Sequence, residues 1–369
     1  MSKTSLLDNL AKIKEIDKDG MLHFYVNAPE HYKKAFEIAQ KIKVDYSKPK
    51  AIIVAGMGGS AIGGEILKDW GRDVLTIPIE VCREYTLPAY ANRETMTFVI
   101  SYSGETEETL GCFLDAIKKE CQIFCICSGG TLLKAAEEFG IPALRIPAGI
   151  PPRAALPYLF APMLILLEKL GLISTVREGI SEAISALKQI CDENAPEKPV
   201  KENLSKTLAV KVNGTIPVIY GFGFYRSVAQ RFKQQFNENS KVPAFWNAFP
   251  ELNHNEIVGW ESVEKPAKFF SAVFIRDENE SPEEKCRIEA TKDLISGATK
   301  GVYEVWGRGR GKLAKILSSI LVGDFTSVYL AILRGIDPTP VESISTLKKK
   351  LEKIGTKDRI TRELQNLTR

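Results

Sequence analysis

A chain of 369 residues, 44% apolar and 26% charged, has the composition of a globular protein and enough length for two domains, each with its own core. Its 50 basic and 46 acidic side chains leave a formal net charge of +4 and alternate along the chain, which argues against nucleic acid as a partner. The longest apolar run, beginning at Tyr158, is cut by Glu168 and Lys169 short of the ~20 residues of a membrane helix, and no secretory apolar core opens the chain. No membrane association is therefore expected, and the location is taken as cytoplasmic.

Residues 1–45 read as helices, with "PEHYKKAFEIAQKI" the clearest. The pattern then changes to short Ile- and Val-rich runs: 50–56, 75–82, 97–103, 122–128 and 141–147. Helical segments separate most of them, and continuous apolar strands alternating with helices imply a parallel sheet covered on both faces. A helical stretch follows from Arg153 to about Cys191, then "DENAPEKPVKEN", whose prolines and charges mark a boundary. Beyond it the alternation resumes, with strands expected at 216–223, 242–249, 268–276 and 301–307, a helix over 282–298 and a long helix over 311–334.

"IIVAGMGGSAIGG" and "PVIYGFGFYRSVA" each run an apolar strand into G-x-G and a helix, about 165 residues apart, so an internal duplication is expected. The resulting layout is N-terminal helices over 1–45, a first α/β domain over 46–152 and connecting helices over 153–195. A second α/β domain then covers 196–335, and a C-terminal helix and tail cover 336–369. Both α/β domains are expected to be doubly wound parallel sheets of the flavodoxin-like or Rossmann-like kind.

Seven cysteines and three histidines (His23, His31, His254) offer no zinc-ligand spacing, and Cys125 and Cys127 in "QIFCICS" read as buried thiols on one strand face. Neither a metal nor a cofactor is expected. Gly56, Gly58 and Ala61 form a permitted variant of the dinucleotide fingerprint, with Glu80 as ribose acceptor, but that reading leaves the second glycine loop unexplained. A Walker loop is excluded because no Gly-Lys-Ser/Thr follows.

The alternative uses two turns at the carboxyl edge of the first sheet. One offers backbone amides at Gly58 and Gly59 with Ser60 at a helix start; the other, "SYSGETEETL", offers the hydroxyls of Ser101, Ser103 and Thr106. Helix N-termini with free amides and hydroxyls suit a phosphate monoester. The competing reading of Ser103 or Thr106 is an ordinary helix cap. Glu105 and Glu107 would repel a phosphate unless they point elsewhere.

"GMGGSAIGGE" followed by "SYSGETEETL" resembles the sugar isomerase (SIS) domain, a phosphosugar-binding α/β unit often found in tandem. Three further stretches, "PPRAALPY", "FNENSKVPAFWNAFPELNHNEIVGW" and "DPTPVESISTLKKKL", make the chain similar to the bifunctional phosphoglucose/phosphomannose isomerases from about Lys50 to Leu351. That resemblance implies a metal-independent aldose–ketose isomerase of glycolysis and gluconeogenesis, acting on glucose 6-phosphate, mannose 6-phosphate and fructose 6-phosphate. It also implies a homodimer with the site histidine supplied across the interface.

Carried over residue by residue, the resemblance makes Glu238 in "FNENSK" the base that moves the C2 proton; nothing else in the sequence distinguishes this glutamate. His254 stands among Asn253, Asn255 and Glu256, groups able to orient an imidazole, and suits ring opening. Arg153, opening an apolar helix after two prolines, suits stabilisation of an enediolate. On the last motif's helix, Val341, Ile344, Leu347, Leu351 and Ile354 form one face, and Lys348 at its edge is the lysine expected to reach inward. The rivals are a non-catalytic phosphosugar sensor, a glucose-6-phosphate-only isomerase and a dinucleotide enzyme.

Overall fold

The computed structural model describes residues 3–261 and 265–367, and in it the chain divides into two compact units. The first sheet unit joins Glu30–Val176 to Val341–Arg369; the second joins Met1–Pro29 to Arg177–Pro340.

In the first unit five strands, β1 (Ala51–Ala55), β2 (Ile79–Cys82), β3 (Thr95–Ile100), β4 (Gln122–Cys127) and β5 (Ala143–Arg145), lie parallel in the order β2-β1-β3-β4-β5. All six residues of β3, Thr95 and Thr97 included, are buried, as a strand covered by helices on both faces should be. Helices Gly59–Gly71, Glu107–Lys118 and Gly130–Glu138 follow β1, β3 and β4. This order reverses direction between β1 and β3, so the turns that leave those two strands flank the switch point where open α/β sheets take their ligands. Cys125 and Cys127 are both buried in the core packed around Phe113 and Leu110.

In the second unit β6 (Ile216–Gly221), β7 (Phe245–Ala248), β8 (Phe270–Arg276) and β9 (Val302–Trp306) are parallel in the order β7-β6-β8-β9. This repeats the first four strands of the other sheet, which is the duplication expected from the glycine turns. Its core is the 22-residue helix Lys312–Leu333. By length and composition that helix would cross a membrane, so the expectation that no segment approaches such a span is corrected. It is instead the interior helix of its unit, 94% buried over its most apolar window. Its two inward charges are paired: Lys315 with Asp277 at 2.6 Å and Asp324 with Arg231 at 3.0 Å.

Around Asp324 lies a buried polar cluster. Its second carboxylate oxygen accepts from Gln235 at 2.7 Å, and Gln235 also donates to the Tyr25 hydroxyl at 2.7 Å. Asn239 donates to Ser327 at 2.9 Å. Burial pushes the Asp324 carboxyl above its ordinary value, against the opposing pull of Arg231.

The units do not divide at the Pro-rich segment 192–203, which lies inside the second unit. Lys206, fully buried, donates to the carbonyls of Leu7, Pro196 and Lys198 at 2.6–2.7 Å, and the Asn194 carbonyl accepts from Tyr329 at 2.6 Å. A stretch with linker composition is thus fastened by a lysine of the following helix, Leu204–Val212. The same lysine draws the N-terminal helices into this unit. The remaining cuts fall at 29/30, 176/177 and 340/341.

Breaking the buried Arg231–Asp324 pair by Asp324→Ala is expected to cost about 3–5 kcal/mol, read as a lower urea midpoint. The paired apolar change Arg231→Met with Asp324→Leu should recover most of that loss, because it removes both charges.

Candidate active site

The turns after β1 and β3 are tied to one another. The Tyr102 amide donates to Ser60 Oγ at 3.3 Å, leaving the Ser60 hydroxyl proton as a donor. Ser101, almost wholly buried, accepts from the Gly104 amide at 3.1 Å and shares a 3.0 Å hydrogen bond with the Thr106 hydroxyl. Thr106 occupies the N-cap position of Glu107–Lys118 but makes no capping bond. Ser103 accepts from the amide of Glu105 at 3.2 Å, within the turn and not at the helix end. The helix Gly59–Gly71 likewise begins from Gly58 with no side-chain cap. Two helix N-termini at adjacent strand ends therefore lack side-chain acceptors, with hydroxyls set between them. That arrangement suits an anion with several oxygens.

The two acidic residues of this turn are drawn elsewhere. Glu105 accepts from the Thr131 amide at 2.8 Å and pairs with Lys357, while Glu107 accepts from the Tyr85 hydroxyl at 2.6 Å. Burial alone would raise the Glu105 carboxyl, but Lys357 and Thr131 outweigh it and hold it below the ordinary carboxylate value.

Backbone approach completes the cradle. Gly104 has φ +71°, and a Cβ there would meet Gly129 O at 1.9 Å. A Cβ at Gly59 would lie 2.9 Å from Pro152 O and 3.3 Å from Arg153 Cα. The turn Pro152–Ala154 therefore rests directly on the first loop, and it brings buried Arg153 to the cradle's helix start. Tyr102 ties these parts together. Its carbonyl accepts from Ser128 amide and hydroxyl at 2.8 and 2.7 Å, and its hydroxyl accepts from Ile150 N at 2.7 Å while donating to Pro147 O at 3.1 Å. Sequence reasoning missed Tyr102, Ser128 and Gly129. The glycine pair of "CSGGT" after β4, a third loop on the same edge, was the available signal.

The structure thus brings together Gly59, Ser60, Ser101, Ser103, Thr106 and Arg153. Lys348 belongs to the same unit but to the exposed helix Glu342–Glu352, none of whose residues is buried. The face expected to turn inward is open, with Ile344, Leu347 and Ile354 at 43%, 56% and 71% exposure, so the inward reach of Lys348 is not seen. Periodicity located an apolar face correctly but carried no information about what covers it.

Glu238 and His254 lie in the second unit. Glu238, half-buried, ends the helix Arg226–Glu238, and its carbonyl accepts from Lys241 at 2.6 Å. His254 is exposed at the end of the short turn Glu251–His254. The neighbours expected to orient it are engaged elsewhere. Asn253 donates to Thr291 at 2.8 Å, Asn255 to Glu251 at 2.7 Å, and Glu256 accepts from Tyr220 and Asn247 at 2.5 and 2.6 Å. Glu80, the ribose acceptor of the dinucleotide reading, accepts from the Tyr90 hydroxyl at 2.7 Å.

The switch point of the second sheet, between β6 and β8, is chemically different. Asp277, just beyond β8, accepts from Tyr225 at 2.8 Å and from Lys315, and all three are buried. An internal ion pair stands where the first sheet offers hydroxyls and amides.

Fold and cradle together define a class, tandem parallel α/β units of SIS type. The sequence agrees: residues 201–351, from within the second unit to eleven residues beyond it, match the family described as bacterial phospho-glucose isomerase C-terminal SIS domain. A putative phosphosugar isomerase from Clostridium difficile 630 shares the fold, with TM-score 0.69 and 16% identity over 87% of this chain and 95% of its own. Among relatives, a bifunctional phosphoglucose/phosphomannose isomerase of Caldicellulosiruptor bescii is 42% identical over 90% of this chain and 99% of its own length. One of Aquifex aeolicus is 34% identical over 85% and 94%. The chain belongs to the bifunctional phosphoglucose/phosphomannose isomerase family, and is a sugar-phosphate isomerase.

Tyr102→Phe removes the hydroxyl that holds the Pro147–Ile150 segment. The expected cost is about 1–3 kcal/mol in urea unfolding, together with a raised KM for sugar phosphate because the Arg153 turn loses its tether.

Proposed function

We propose that this chain interconverts glucose 6-phosphate and mannose 6-phosphate with fructose 6-phosphate by metal-independent proton transfer. The observation that carries the reading is the pair of helix starts without side-chain caps, joined through Ser60 and Tyr102 and lined by the Ser101–Thr106 hydroxyl pair. A phosphate dianion satisfies the amides that the fold leaves without side-chain acceptors, and it fixes the sugar in register for the chemistry.

On this reading His254 moves the proton that opens the ring. Glu238 takes the C2 proton and returns it at C1 through a cis-enediol, Arg153 balances the charge that develops, and Lys348 contacts the sugar. Glucose and mannose 6-phosphates differ only at C2, a centre that the planar enediol erases, so one base serves both. The exposure of His254 is consistent with a homodimer in which the partner completes the site, and a cytoplasmic setting matches these metabolites.

The test is turnover of fructose 6-phosphate with EDTA present, with glucose 6-phosphate and mannose 6-phosphate detected separately. Wild type is expected to form both, and Glu238→Gln to lose roughly 10²–10⁴-fold in kcat, the range of one positioned acid–base group. Glucose 6-phosphate alone would reduce the reading to a single isomerase. A folded wild type that binds the sugar phosphate without turnover would make it a sensor.

The cradle is tested separately. Ser101→Ala combined with Thr106→Val should weaken binding of fructose 6-phosphate at least about tenfold, the scale of one lost hydrogen bond to a charged group. Calorimetry reads that change whether or not the protein turns over.

A further inference from the structure

The helix Thr356–Leu367 lies beyond the 201–351 family match, and the sequence offered no role for it. It docks on the helix that the cradle turn starts. Ile360 and Leu364 are buried in the core cluster that also holds Leu110, Phe113 and Leu114 of Glu107–Lys118, and Glu363 pairs with Lys118 at 2.8 Å. Positions 357, 360 and 364 share one helical face. The apolar residues that anchor this helix therefore also place Lys357 at Glu105, with which it forms an ion pair.

Of the two acidic residues Glu105 and Glu107, Glu107 belongs to the helix, whereas Glu105 lies inside the turn itself, between Gly104 and Thr106 and two residues from Ser103. Its carboxylate is held on the far side of the turn by three contacts: the Thr131 amide at 2.8 Å, the Thr131 hydroxyl at 3.0 Å and Lys357. Without Lys357 the turn would offer an uncompensated negative charge beside the hydroxyls that receive a dianion.

We propose that the C-terminal helix is a positioning element of the phosphate cradle, in which Lys357 neutralises Glu105 and keeps its carboxylate turned onto Thr131. This rests on the cradle being the phosphate site. Lys357 acts through Glu105 and does not touch the ligand. The helix couples cradle electrostatics to its own docking, so an event that lifts Ile360 and Leu364 from the core also weakens the phosphate grip.

The experiment is a double-mutant cycle on the full chain: wild type, Lys357→Met, Lys357→Arg, Glu105→Gln and the Glu105→Gln/Lys357→Met pair. Calorimetry gives the Kd for inorganic phosphate and for fructose 6-phosphate, steady-state assays give kcat and KM, and urea unfolding checks the fold. Lys357→Met is expected to weaken both ligands roughly fivefold, the upper range for one partly exposed ion pair, and to raise KM while kcat changes little. Lys357→Arg should retain wild-type affinity. In the Glu105→Gln background, Lys357→Met should have almost no further effect, because no carboxylate remains to neutralise.

Equal weakening by Lys357→Met in both backgrounds would overturn the proposal, since Lys357 would then act on the ligand itself. So would an unchanged Kd in folded Lys357→Met, or a weaker Kd in Glu105→Gln alone, a variant that needs no change at position 357. Failure of the cradle reading looks different: there the Ser101→Ala/Thr106→Val protein would keep the wild-type Kd.

Discussion

The cradle hangs on the bonds of Tyr102. Its amide reaches the loop after β1, its carbonyl the loop after β4, and its hydroxyl the segment that leads into Arg153. One residue thus fastens three loops and the Arg153 turn into a single surface. Apart from Arg153, the groups brought together there are backbone amides and short hydroxyl side chains, which have little side-chain entropy to lose on binding. Glycine is the other half of the constraint. At Gly104 and Gly59 the chain passes so near another backbone that a Cβ would overlap it, and those approaches bring the Ser128–Gly130 loop and Arg153 against the helix starts.

The two sheets show how one topology takes on different chemistry. Both place a glycine turn after their central strand and reverse order beside it, but the first pairs two uncapped helix starts with hydroxyls between them, whereas in the second Arg226–Glu238 starts uncapped and Pro282–Ser296 is capped by Ser281. In the second, Tyr225, Asp277 and Lys315 satisfy one another across the equivalent turns. A buried ion pair of that kind gives up charge to specify one packing. The fold therefore supplies two candidate ligand edges, and side chains decide which remains open. The internal duplication describes the architecture and does not imply a second copy of the site.

What the sequence disclosed, and what it withheld, follows from the range of the forces involved. Strands such as β3 and β8 were legible because a parallel strand covered on both faces is mostly apolar instead of alternating. The polar turn after β3 was legible because Ser101, Ser103 and Thr106 gather around Gly104 where a strand hands over to a helix. The misread boundary at 192–203 had every local mark of a linker; what fastens it is Lys206, reaching three carbonyls that no local pattern predicts. Likewise the periodicity over 341–354 located a stripe but not its cover, and Asn253, Asn255 and Glu256 sit near His254 in sequence while bonding to other elements. Tyr102 was hidden for the opposite reason: its side chain and backbone act over 26 to 48 residues of separation while its neighbours drew attention to themselves.

A division of labour follows from where the groups sit. On the proposed reading, the residues that would hold the phosphate all lie in one unit, on turns that hydrogen bonds tie together. Glu238 and His254 lie in the other unit, one half-buried and one exposed, and Lys348 projects from an exposed helix. Holding a phosphate tightly at a preformed surface supplies binding energy remote from the reacting carbons, which is where an isomerase spends it best: on orienting C1 and C2 against a base. On the proposed reading the groups that do the chemistry must admit a ring, let it open and release a product of different shape, so rigidity there would impede turnover. On the proposed reading, a substrate is therefore fixed by its unreactive end, and Glu238 and His254 act on the reactive end.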